Sequence, residues 1–102
     1  MEYRVKAKPI AEQLSAFYTV LTDGTVAKQQ PDGAEIVSAM KSARITSVGI
    51  IEWYETCYCE TPLKHERETV LDKYLAEIET ELVQERSEIS GESFWQFLED
   101  TQ

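Results

Sequence analysis

Apolar and polar residues alternate with period two at the start of the chain, where Tyr3, Val5 and Ala7 stand between Arg4, Lys6 and Lys8. That pattern predicts a half-exposed strand ended by Pro9, or an edge marked by it. The basic outer positions would shield such an edge from pairing with other chains. Residues 10–22 then change period. Ile10, Leu14, Phe17, Tyr18 and Leu21 fit a helix, with Pro9 in its first turn and Gly24 at its C-terminal end. The run Phe17-Tyr18-Thr19-Val20-Leu21-Thr22 and the Asp23-Gly24 turn also fit a hairpin running into Thr25–Lys28. The helix is preferred, because Ala11-Glu12-Gln13-Leu14 leads into the run without a breaker.

Asp32 and Glu35 have the spacing of a capping box ahead of a helix over about 33–44, with Ile36, Met40 and Ala43 on one face. Residues 46–60 read as the strongest strand. One face carries Val48, Ile50, Glu52, Tyr54, Thr56 and Tyr58; the other carries Gly49, Ile51, Trp53, Glu55, Cys57 and Cys59. Neither face is plainly polar, which predicts a central strand covered on both sides. Thr61 and Pro62 then open the longest predicted helix, about 62–86, with Leu63, Val70, Leu71, Tyr74, Leu75, Ile78 and Leu82 as its apolar stripe. Glu77, Glu81 and Glu85 recur at four-residue intervals, and their like charges weaken its last turns. A breaker at Ser87-Glu88-Ile89-Ser90-Gly91 precedes a short aromatic segment with Phe94, Trp95, Phe97 and Leu98. That segment is too short to be a stable helix alone, so it packs back on the domain or docks on another chain.

These elements predict an α+β fold: a small, mostly antiparallel sheet with two main helices on one face and a short C-terminal aromatic segment. The order of strand, helix, short strand, helix, strand, helix is loosely similar to ferredoxin-like layouts, a likeness of element order alone. The chain divides into a single α+β domain over 1–90 and an aromatic and acidic tail over 91–102. If the strand at 46–60 is apolar on both faces, its second face needs a cover. The aromatic tail or a second copy of the chain would supply it, so a homodimer through the sheet face is expected.

Composition adds little about fold and something about partners. With 102 residues, 42% apolar and 28% charged, the chain has room for one core. The net charge of −9 is lopsided. Residues 1–59 hold seven acids and six bases, whereas residues 60–102 hold twelve acids and four bases. Such a field repels phosphate backbones and argues against nucleic-acid binding. No apolar run is long enough for a membrane span or a signal peptide, so a cytoplasmic protein is expected.

Candidate chemistry gathers between Trp53 and Arg67, which includes both cysteines and the single histidine. Cys57 and Cys59 fall about 7 Å apart along one strand face, too far for a relaxed disulfide. With His65 they form a weak metal or thiol-redox candidate, because zinc motifs carry two paired ligand clusters. Two small, partly buried thiols and a solvated histidine are the preferred reading, with no cofactor. Arg67 falls near the middle of the apolar stripe and needs an acid or a route to water. Glu52 or Glu55 is the expected partner in an ion pair; an anion-binding pocket with Trp53 and Tyr54 is the functional version. No motif identifies catalysis. The leading expectation is a small interaction or regulatory protein without catalysis. It would bind a protein partner through the acidic helix face or the aromatic residues Phe94 and Trp95. A small enzyme or ligand-binding homodimer, with a pocket near Trp53, Tyr54, Cys57 and Arg67, is the alternative.

Overall fold

The computed structural model describes residues 1–58 and 60–102. Five antiparallel strands form one sheet. Strand β1 (Glu2–Pro9) pairs with β3 (Ile51–Thr56) on one side and β4 (Leu75–Val83) on the other. The short strands β2 (Arg44–Ile45) and β5 (Glu92–Ser93) complete the order β4-β1-β3-β2-β5. A 3₁₀ turn at Ala11–Gln13 leads into α1 (Leu14–Thr22), and α2 spans Gly33–Ser42. A third helical segment, α3, covers 64–74. It is α-helical over Lys64–Glu66, π-helical over Arg67–Leu71 and α-helical again over Asp72–Tyr74. Helix α4 (Phe94–Asp100) ends the chain. The α+β class and the mostly antiparallel sheet expected from the sequence are borne out.

The alternation in β1 has a different cause from edge protection. β1 is an internal strand, and its even positions are polar because one face of the sheet is open. Tyr3, Val5 and Ala7 are buried on the other face beside Ile51 and Trp53 of β3. The helices add Phe17, Leu21, Ile36, Met40, Val70, Leu71, Phe94 and Leu98 to the same core, joined by Leu63 just ahead of α3. Helix α1 wins over the hairpin. Its β-branched residues are accommodated partly by back-bonding, with the Thr19 and Thr22 hydroxyls donating to the Ser15 and Tyr18 carbonyls at 3.0 and 2.8 Å.

Two predicted elements are shorter than expected. The strand at 46–60 reduces to Ile51–Thr56, because Thr46–Ile50 forms the turn of a hairpin. In that turn the Ile50 carbonyl accepts from Thr46 N–H at 2.9 Å, and Gly49 takes a φ of +84°. The faces of β3 are also unequal. Ile51, Trp53 and Glu55 point to the core, while Glu52, Tyr54 and Thr56 share the open face with Arg4 and Glu2. That polar face removes the ground on which a dimer through it was expected.

The helix predicted over 62–86 is the larger correction. It stops at Tyr74, and Leu75–Val83 is strand β4. The segment Ala76-Glu77-Ile78-Glu79-Thr80-Glu81-Leu82 alternates with period two as well as carrying helical spacing, and pairing with β1 decides between them. The aromatic tail packs back on this chain. Phe94 and Leu98 are fully buried, and Ser93 caps α4 by accepting from Gln96 N–H at 3.2 Å.

Candidate functional site

Three regions carry groups able to bind or react. The first is the open face and its β4 edge. Arg4 donates to Glu52 Oε2 through Nε at 3.0 Å and Nη2 at 2.6 Å, and Lys6 lies 3.9 Å from the other oxygen. On the far side of β1, Lys6 stands opposite Glu79 and Arg4 opposite Glu81 in the strand register. Arg4, Lys6, Glu79, Thr80 and Glu81 line a shallow trough of about 680 Å³. Between Lys6 and Lys8 the register slips, so that Glu77 and Ile78 together oppose Ala7 in a β-bulge. Glu77 has a φ of +52°, unusual for a residue with a side chain, and its carboxylate sits 3.2 Å from Lys8 Nζ. Beyond the bulge, residues 79–83 run regularly along β1.

The open face is partly crossed by residues 84–91, which connect β4 to β5 at opposite ends of the strand order. Ser87 donates from its N–H to the Tyr54 hydroxyl at 3.1 Å, and the two hydroxyls lie 2.9 Å apart. Arg86 stacks 5.8 Å from the Tyr54 ring and binds Glu2, whose carboxyl is held below its usual range by that guanidinium.

The second region is a buried pair of carboxyl groups. Glu55 and Glu66 are only 6% and 4% exposed. Glu55 Oε1 accepts from the Trp53 indole at 2.9 Å. The Oε2 atoms of both residues are buried with no protein donor. A carboxylate cannot donate, so the two groups satisfy one another only when one of them holds a proton. Burial is the main force raising both carboxyls above their ordinary value. The hydrogen bond to Glu55 and the charges of Glu55, Asp32 and Glu35 take Glu66 to about 10. The π-helical turn begins directly after Glu66, with Asp72 N–H reaching back five residues to the Arg67 carbonyl. That wider turn shifts the helical phase, so Glu66, rather than Arg67, faces β3.

The third region is at the start of α2. The Asp32 side chain makes no cap to the helix; it binds His65 Nδ1 through both oxygens at 3.0 and 3.1 Å. This ties α2 to α3 next to the buried carboxyls.

The predicted site residues are thus dispersed. Trp53 is in the core and Tyr54 on the opposite face. Both touch a cleft of about 280 Å³ that also contains Arg44, Arg86 and Ser87. Arg67 is half-exposed and pairs with Asp72 at 3.2 Å, not with Glu52 or Glu55. Phe94 is enclosed in the core, and Trp95 packs against Tyr18 and under Lys41. Cys57 is buried, and the proposed ligand Cys59 lies outside the described residues. Among the described residues, no group of three His, Cys, Asp or Glu side chains is placed to hold a metal ion, and no helix is long and apolar enough to cross a membrane. Neither the burial of Glu66 beside Glu55 nor the strand positions of Glu79 and Glu81 were expected from the sequence. The alternation of residues 76–82 was the available signal for the last two. Comparison of the chain with protein-family models, with curated proteins and with solved structures returned no match.

Proposed function

We propose that this protein is a non-catalytic interaction module that takes an extended polypeptide as an added strand on the outer edge of β4. The observation that carries this reading is the position of β4: a nine-residue strand at the end of the sheet order, paired along one side by β1. Such an edge presents main-chain N–H and C=O groups in register for a further strand. The regular stretch 79–83 is long enough for more than one ladder bond, since alternate residues of a strand point their amides to each side.

The two surfaces first expected to bind a partner contribute differently. The acidic positions 77–81 belong to this strand and not to a helix face. Phe94 and Leu98 of the aromatic segment are occupied within the chain's own core. Glu55 lines a groove of about 230 Å³, but its Oε1 is taken by the Trp53 indole and its Oε2 is buried, which speaks for a structural role.

Selection from a random library of short peptides against the intact chain tests this reading, with binding sites mapped by amide hydrogen exchange. Added protection along residues 79–83 is the expected result. Ligands that protect only the 84–91 crossing or the helices would replace strand addition with another mode of binding.

A further inference from the structure

We infer that the strand received by β4 is basic, with Lys or Arg at alternate positions and aliphatic residues or Thr between them. This rests on the strand-addition reading above and adds the chemistry of the partner.

The open face is built of columns of alternating sign. Glu52 on β3 faces Arg4 and Lys6 on β1, and these in turn face Glu81 and Glu79 on β4. Directly opposed residues on neighbouring strands are about 5 Å apart, close enough for each column to neutralise the next. Beyond β4 the series stops on an acid. Among the described residues Glu79 and Glu81 have no ion-pair partner within 4 Å. The next column that continues the pattern is basic.

The other face of the same strand sets the intervening positions. Thr80 and Leu82 lie on the core side by their register with Val5 and Tyr3. There the helices stop short of covering the strand end, and Leu82 is left 57% exposed. A partner strand that places aliphatic side chains beside Thr80 and Leu82 buries that surface while its bases meet the glutamates. The required sequence therefore alternates base and aliphatic with the period of the strand itself.

A second copy of this chain fits poorly. Two β4 edges paired antiparallel would bring Glu79 and Glu81 of both copies together on one face, in molecules of net charge −9. The same glutamates that attract a basic strand keep the chain from pairing with itself.

The test uses the intact chain and five fluorescein-labelled nonapeptides. One alternates Lys with Val and Thr, one has Gln for each Lys, and one has Glu for each Lys. The other two are the Lys peptide N-methylated on one or the other of its two alternating sets of amides. Fluorescence anisotropy at physiological salt is expected to show the Lys peptide binding about tenfold tighter than the Gln peptide. The Glu peptide should not bind. One methylated version should bind about tenfold more weakly than its parent and the other nearly as well, because only one set of amides faces β4. The double substitution Glu79→Gln and Glu81→Gln, at exposed positions, should bring the Lys and Gln peptides to similar affinity. Equal binding of Lys and Gln peptides, both lost on methylation, would overturn the basic preference and leave strand addition standing. Lys-peptide binding indifferent to both methylations would overturn strand addition, leaving only charge attraction. Absence of binding by every peptide would overturn both and leave the acidic edge as protection against self-association.

Discussion

Replacing Glu66 by Gln should make the protein more stable at alkaline pH and remove much of its pH dependence. The buried pair needs one proton to satisfy its two Oε2 atoms, and the folded state holds Glu66 protonated up to about 10. In the unfolded chain both glutamates titrate near 4.3. Between those limits the folded state binds more protons than the unfolded state, so stability falls as pH rises. The stabilising protonation is fully present below the unfolded pKa and is lost as pH passes through the folded one. One proton corresponds to about 1.4 kcal/mol per pH unit. From pH 5.5 to 8.5 the wild type should therefore lose up to about 4 kcal/mol, a large part of the roughly 5–15 kcal/mol that a domain possesses. In Glu66→Gln the amide donates permanently to Glu55 and no proton is needed.

Urea unfolding followed by tryptophan fluorescence at pH 5.5, 7.0 and 8.5 measures the effect. The two curves of stability against pH should nearly meet at pH 5.5 and diverge by a few kcal/mol at pH 8.5, with the variant above. Subtracting one from the other cancels whatever pH dependence the two proteins share. The lowered carboxyls of Glu2 and Asp23 act in the opposite sense, losing stability as pH falls through their folded values, below this window. Parallel curves with unchanged urea dependence would refute the shared proton, and with it the account of why two acids are buried side by side.

Three further substitutions follow from the packing. Trp53→Phe keeps most of the buried ring but deletes the indole donor to Glu55, and should lower denaturant stability by about 1–3 kcal/mol. Arg67→Met removes only a half-exposed pair with Asp72, so unfolding at neutral pH should change by less than about 1 kcal/mol; a loss of several would show an ion pair buried after all. Phe94→Ala should cost about 3–5 kcal/mol in the same assay, because the ring is fully enclosed beside Phe17 and Phe97.

Elements with one unopposed period were legible in the sequence. β1 and α2 lie close to where alternation and helical spacing place them. The strand at 46–60 was readable in type but not in length, because its first five residues are equally suited to a turn around Gly49. The chemistry at the strand–helix junction was harder. Helical phase read from Thr61 puts Arg67 inward, but Leu63 takes a left-handed conformation and the π-turn adds a residue to the helix. Both features follow from how the segment docks on β3. No local spacing predicts them, and they bring Glu66 to Glu55.

The fate of residues 75–83 shows most clearly what a local reading lacks. Read as a helix, the segment places Glu77 and Glu81 one turn apart with like charge. Read as a strand, it places glutamates on the face where β1 offers bases. Glu81 opposes Arg4, Glu79 opposes Lys6, and Glu77 reaches Lys8 across the bulge. The decisive partners lie about seventy residues earlier in the chain. Backbone pairing with β1 decides for the strand, and its bases give the face the polar character that the alternation of β1 had already announced. Charge matters at the sheet edge for the same reason. Arg4 and Lys6 are held by Glu52 on the inner side, so Glu79 and Glu81 present an acidic column to whatever approaches from outside.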